Sequence, residues 1–223
     1  MSLADLLRQE ILAGRLPPGT LLSQTETAER YGVSRIPVRD AFQQLAHDRL
    51  VTVIPGKGAQ VIRLSAAELT EVYDLRILLE GDLLRRAVRA AGPDYAAEVD
   101  YALRKSDLEA GRPGWADGDW FFHRTLYAPA SRPRQLAMAE ELRRLCLVHV
   151  PSYDTLTQAT PDWLAHHAAM ARAAVAGRAE DAVAALEQHL DAARRFLLGL
   201  SPEDPGAGSQ GSGNQVAEDL GHV

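Results

Sequence analysis

Residues 23–47 read SQTETAERYGVSRIPVRDAFQQLAH, two short helix signatures either side of a sharp turn. Ser23 and Glu26 stand three apart as a capping box, opening a helix to about Tyr31. YGVS at 31–34 then turns the chain, and Ser34 is placed to cap a second helix over about 35–48. Pro37 falls in its first turn, where a missing N–H does no harm. Val38, Phe42 and Leu45 recur at helical spacing and should pack inward, while Arg35 and Arg39, four apart, share another face.

The flanks extend this pattern. Leu3, Leu6, Leu7, Ile11 and Leu12 make one apolar face of a helix over 2–13, ended by Gly14 and the turn RLPPGT. Downstream, the β-branched runs 51–54 and 59–62 surround PGKG and predict a hairpin. Helix, helix-turn-helix and hairpin within 64 residues outline a winged helix-turn-helix. The amino end of a helix carrying Ser34, Arg35, Ile36 and Arg39 can enter a major groove, where arginine forks onto guanine or clamps a phosphate. Lys57, between Gly56 and Gly58, would bring charge and bare backbone to the minor groove or phosphates.

The charge distribution agrees. The 223 residues carry a net charge of −6, but residues 1–64 hold eight Lys/Arg against six acids, and the remainder holds 16 against 24. A slightly basic first part on an acidic remainder points to a polyanion partner for the first part alone. Hydrophobic residues at 46% and charged residues at 24% are ordinary for a soluble globular chain. The single cysteine, Cys146, rules out an internal disulfide and suits a reducing, cytoplasmic setting. No run approaches the roughly 18–20 apolar residues of a membrane span, and the N-terminus lacks a signal-peptide core.

A second capping box, Ser65 with Glu68, opens a region that reads as helical throughout. Helices are expected near 66–90, 94–110, 117–128, 132–150, 161–176 and 179–198, with breaks at AGPD, GRPG, ASRP, VPSYDTLTQATP and AGR. That is an all-α bundle of ordinary domain size. The tail from Ser201 is Gly/Ser/Pro-rich and expected to be disordered.

DWFFH at 119–123 sets Asp119 and His123 one helical turn apart, with aromatics between. Two more histidines, His167 and His189, each lie 11 residues from Arg178 in the expected turn between the last two helices. In an antiparallel hairpin such residues are level with each other. Their faces carry Trp163, Met170 and Ala174, and Ala182, Leu186 and Ala193, so both point to the core; His166 looks peripheral. One carboxylate and three imidazoles suit a divalent transition metal such as Zn²⁺, Ni²⁺ or Mn²⁺. The alternative is three hydrogen-bonded core histidines and a helix-N-terminal acid.

GRLPPGTLLSQTETAERYGVSRIPVRDAFQQLAHDRLVTVIPGKGAQV resembles the winged-helix domain of the GntR family of bacterial transcription regulators. The resemblance implies that Ser34, Arg35, Ile36, Pro37 and Arg39 meet DNA in the major groove, with Gly56, Lys57 and Gly58 at the wing tip. Ile36 stands where that family usually has Thr, and Thr27 where an apolar residue is usual. Residues 66–198 resemble the FCD ligand-binding domain of its FadR subfamily, through EVYDLRILLEG, DWFFHRTL and HHAAMARAAVAGRAEDAVAALEQHL. Metal-binding members have an Asp and three His at the positions of Asp119, His123, His167 and His189. The resemblance also makes Arg76 a cationic lining for a carboxylate effector; the plainer reading is an i,i+4 pair with Glu80.

The expectation is therefore a mainly α chain: a winged helix-turn-helix at 1–64, an all-helical effector- and metal-binding bundle at 65–199, and a tail at 200–223. It would act as a homodimeric, non-enzymatic repressor or other regulator whose hold on a double-stranded operator answers to a small organic acid. Two further readings are a metal-free effector pocket and a metallohydrolase fused to a DNA-binding module. The latter lacks an HExxH motif or an acid beside the ligand histidines.

Overall fold

The computed structural model describes residues 1–112, 115–150 and 153–200, with the backbone alone at 153–161 and 200. Helix α1 (Leu3–Leu12) is opened by a Ser2–Asp5 capping box that the sequence reading did not single out. Helices α2 (Gln24–Tyr31) and α3 (Arg35–His47) flank Gly32, which turns the chain in the left-handed region at φ 64°. Ser23 caps α2 through the Glu26 N–H. Ser34, by contrast, has the extended N-cap backbone of α3 but makes no capping bond with its side chain.

Strands β2 (Val51–Ile54) and β3 (Gly58–Val61) form the expected hairpin, in antiparallel register with Val51 opposite Val61 and Ile54 opposite Gly58. A two-residue strand, β1 (Leu21–Leu22), pairs on the other edge of β3 and gives the order β1-β3-β2. Two residues carry no readable alternation, so the sequence offered no sign of it. Gly58 sits at φ 120°, and a Cβ there would strike the Leu22 carbonyl. Only glycine lets the wing pass that close to β1. Leu7 and Ile11 of α1, Val38, Phe42 and Leu45 of α3, and Val51 and Val61 of the sheet close a separate small core.

The second core belongs to the bundle. Helix α4 (Ala66–Ala90), with the Ser65–Glu68 capping box intact, is about 37 Å long and packs on α7 (Pro133–Leu147) and α9 (Ala179–Leu200). Helix α5 (Tyr95–Glu109) lies against α6 (Trp115–Tyr127) and α8 (Tyr153–Val175); α8 and α9 form the expected antiparallel hairpin about Gly177, at φ 72°. Phe122, Leu126, Met170, Leu186 and Leu190 are fully buried, each stabilising by about 1.5–3 kcal/mol. Helix α8 starts about two turns before the expected residue 161. Thr and Asp in this stretch read as loop because such side chains compete for backbone hydrogen bonds, and Pro161 because it lacks an N–H; propensity is a weak guide that the fold does not follow here. The expected tail disorder falls on 201–223, outside the described residues.

The two cores touch at the end of α7. Val148 is buried among the apolar residues of the first core, and Ile62 packs against both. His149 accepts a 2.9 Å hydrogen bond from the Leu64 N–H through Nε2, while its Nδ1 lies 2.8 Å from the Leu145 carbonyl. Arg49, at φ 55°, pairs with Glu141 of α7 at 2.5 Å.

Candidate metal centre and nucleic-acid interface

The structure brings Asp119, His123, His167 and His189 together in the bundle core. One ligand atom from each lies within 4.8 Å of the others. All four residues are buried, and the His167 and His189 rings are 4.7 Å apart, as their equal distance from the hairpin turn requires. His166 is only half-buried and outside the cluster, its ring edge-on to that of His189 at 6.0 Å. Three ring nitrogens in the cluster, His123 Nε2, His167 Nε2 and His189 Nδ1, are buried without a hydrogen-bond partner. His167 Nε2 is 3.3 Å from Asp119 Oδ1 and His123 Nε2 is 3.9 Å from it, neither aligned as a hydrogen bond. Orphaned buried nitrogens are costly, and two of these face the same carboxylate oxygen, Asp119 Oδ1. The donor set fits a borderline divalent ion.

Electrostatics keep the donors in metal-ready forms. Burial holds the His123 imidazole down to about 3, and burial also puts His189 well below the usual range, so both are neutral. Burial pushes the Asp119 carboxyl up, but the Arg143 guanidinium and the neighbouring imidazoles outweigh it and hold the group well below the carboxylate range. Arg143 grips Oδ2 at 2.9 and 3.3 Å, and the Trp163 indole donates to Oδ1 at 3.2 Å. Two of the remaining ring nitrogens have a neighbour: Tyr127 OH lies 3.1 Å from His123 Nδ1, and Ser106 Oγ 3.3 Å from His167 Nδ1.

Arg143 and Tyr127 escaped the sequence reading. Arg143 shares an apolar stripe with Ala139 and Cys146, a signal of a buried arginine, but its pairing across 24 residues has no local sign. Arg76 is 5% exposed and bound to Glu80 at 2.7 Å, so the plainer pair is present; burial makes it unlike an exposed one, since a lost partner would strand a charge. Arg76 also lines a cavity of about 30 Å³ beside the cluster, with Asp119, Arg143, Trp163, His189 and Phe196.

In the first core's region, Ser34, Arg35, Ile36, Pro37 and Arg39 are all exposed at the start of α3, with Ile36 at 69%. Ser34, unused as a cap, keeps its hydroxyl free of the helix end. Gly56 and Lys57 are exposed at the wing tip, whereas Gly58 is buried against Leu22 and serves the close passage of the strands.

Comparison with known proteins places this geometry. Residues 2–61 match the family of bacterial regulatory proteins called gntR, and residues 71–192 match the FCD domain. The chain belongs to the GntR family. It is a DNA-binding GntR-family transcription regulator with an FCD domain. An HTH-type transcriptional regulator of Agrobacterium vitis, from the TAR-I ttuE–ttuC′ intergenic region, is 35% identical over 136 residues, 56% of this chain and 77% of its own. The gluconate operon transcriptional repressor of Bacillus licheniformis is 37% identical over 126 residues, 54% of this chain and half of its own length. A GntR regulator from Rhodococcus sp. RHA1 has the same fold, with a TM-score of 0.67 at 28% identity, over 89% of this chain and 97% of that one. Among the described residues no helix of this GntR chain is long and apolar enough to cross a membrane.

Proposed function

We propose that the chain is a cytoplasmic one-component repressor, with a DNA-binding unit at 1–64 and a sensing unit at 65–199. A homodimer would hold a pseudo-palindromic operator, since one winged helix reads only a short site. Ser34, Arg35, Ile36, Pro37 and Arg39 would meet the major groove, and Gly56 and Lys57, set by Gly58, the flanking backbone. A small organic acid would be the effector, seated between Arg76 and a divalent ion (Zn²⁺, Ni²⁺ or Mn²⁺) held by Asp119, His123, His167 and His189. When bound, such an ion offers open positions to a carboxylate. The Bacillus relative, a repressor named for the operon of a sugar acid, supports both repression and the ligand class.

The observation that carries this reading is the small cavity between the four-ligand cluster and α7. At about 30 Å³ it is small for an organic acid, so seating one there would move its walls. One wall is α7, through Arg143, Cys146 and Leu147. Past its end, Val148 and His149 are fastened to the DNA-binding unit and its linker. Displacement of α7 by the acid would therefore reorient the two recognition helices, the differential contact that a switch needs.

The test is to select genomic fragments retained by the pure protein, then titrate the bound fragment with a panel of sugar, hydroxy and dicarboxylic acids, with and without added ion. The reading expects one palindromic sequence class and release by an acid that depends on the ion. Retention of no specific fragment would overturn the regulator reading, release by an acid in ion-free protein would favour the metal-free pocket, and indifference to every acid would overturn effector control.

A further inference from the structure

One buried chain of hydrogen bonds, running from Arg76 through Glu80 and Tyr127 to His123, lies behind the cluster. Arg76 Nε donates to Glu80 Oε1 at 2.7 Å, Tyr127 OH donates to Glu80 Oε2 at 2.8 Å, and His123 Nδ1 lies 3.1 Å from Tyr127 OH. Glu80 is 0% exposed, Tyr127 and His123 1%. A proton count fixes its direction. Glu80 is the carboxylate of an ion pair with Arg76, and a carboxylate can only accept. The one Tyr127 proton is therefore committed to Glu80. The phenol oxygen can then only accept from His123, so Nδ1 must carry the hydrogen and Nε2 must carry the lone pair. That Nε2 is one of the orphaned atoms facing Asp119. His167 has no equivalent constraint, because the Ser106 hydroxyl beside it can donate or accept.

We propose that Tyr127 and Glu80 are positioning residues for the ion: together they lock His123 in the Nδ1–H tautomer and aim its Nε2 lone pair into the cluster, with Arg76 as the anchor of the relay. A ligating histidine whose other N–H is held by a carboxylate or an equivalent acceptor is better oriented and more basic, and loss of such a partner typically weakens metal binding 10–100-fold. The relay also ties the cavity to the ion. Arg76 lines the cavity and anchors Glu80, so an anion drawing on Arg76 shifts the same bonds that orient His123.

This inference rests on the metal reading for its consequence but not for its structural content, and two measurements separate them. The first is long-range ¹⁵N–¹H NMR of the ion-free full chain. His123 should be the Nδ1–H tautomer in the wild type and a mixture in Tyr127→Phe, a change that keeps the ring and its packing. The second is zinc affinity by chelator competition. Tyr127→Phe and Glu80→Gln should weaken it by about 10–100-fold. Tyr95→Phe is the control: it removes another buried phenol bond, 3.0 Å to the Leu126 carbonyl, and should leave zinc affinity unchanged. A wild-type His123 carrying its proton on Nε2, or a Tyr127→Phe chain with wild-type tautomer and zinc affinity, overturns the relay. A wild type that takes up no zinc while the tautomer follows Tyr127 overturns the metal reading alone and leaves the relay standing.

Discussion

Loading the cluster should stabilise the chain steeply: its orphaned atoms give the reason, and mass action gives the size. Three buried ring nitrogens lack partners in the described structure. Leaving such a group unpaired in a core costs about 1–3 kcal/mol, which is the reason an ion should be held there. An ion bound only by the folded state adds about 4 kcal/mol at a free concentration a thousand times its dissociation constant. For a chain of this size 1 kcal/mol moves Tm by roughly 2–4 °C, so Tm should rise by about 8–16 °C. The assay is calorimetry on chelator-stripped protein titrated with Zn²⁺, Ni²⁺ and Mn²⁺ in turn. The quantity read is the increment, not the absolute Tm, because a histidine variant also changes core packing. His167→Ala should lose most of the increment, since it removes a ligand at the centre of the cluster. His166→Ala, which touches the His189 ring but offers no atom to the cluster, should keep most of it. A wild-type increment below about 2 °C with all three ions, together with blank elemental analysis, would refute the reasoning.

Two further outcomes are expected. Arg35→Ala and Arg39→Ala should each weaken specific operator binding by about 1–3 kcal/mol in gel shifts at fixed salt, with Tm unchanged, because both side chains are exposed on α3. The contact at His149 should yield to acid. Burial lowers its pKa, partly countered by the Leu145 carbonyl and helped by Arg63. As pH falls below about 6.5, the unfolded chain takes a proton that the folded chain resists, and stability drops. His123 and His189 contribute slopes of the same sign. Denaturation of wild type and His149→Leu at pH 7.5 and 5.5 isolates the His149 part, which should appear as a shallower loss in the variant; equal losses would contradict it.

The sequence was most legible where one physical rule acted locally. Capping at Ser23 and Ser65, the spacing of Val38, Phe42 and Leu45, and the PGKG turn each determined an element within a few residues. The Asp–His cluster was legible for a different reason: the α8–α9 turn makes His167 and His189 level, and one helical turn joins Asp119 to His123. Strand β1 was not, because its two residues owe their conformation to β3 rather than to themselves. Nor was the Arg143–Asp119 pair, which depends on how α6 meets α7. Ser34 marks the opposite case: its type and position said cap, and its hydroxyl does not cap.

The burial of Val148 in the core of the DNA-binding unit has a consequence for anyone who would take the chain apart. A headpiece cut after residue 64 leaves behind the plug that fills it, and exposes an apolar socket to water. Grafting this head onto another sensor would transplant half of a joint. A working chimera needs a valine-sized side chain delivered to the same socket by the new partner, so the residue that limits interchange of such heads lies 84 positions beyond the seam.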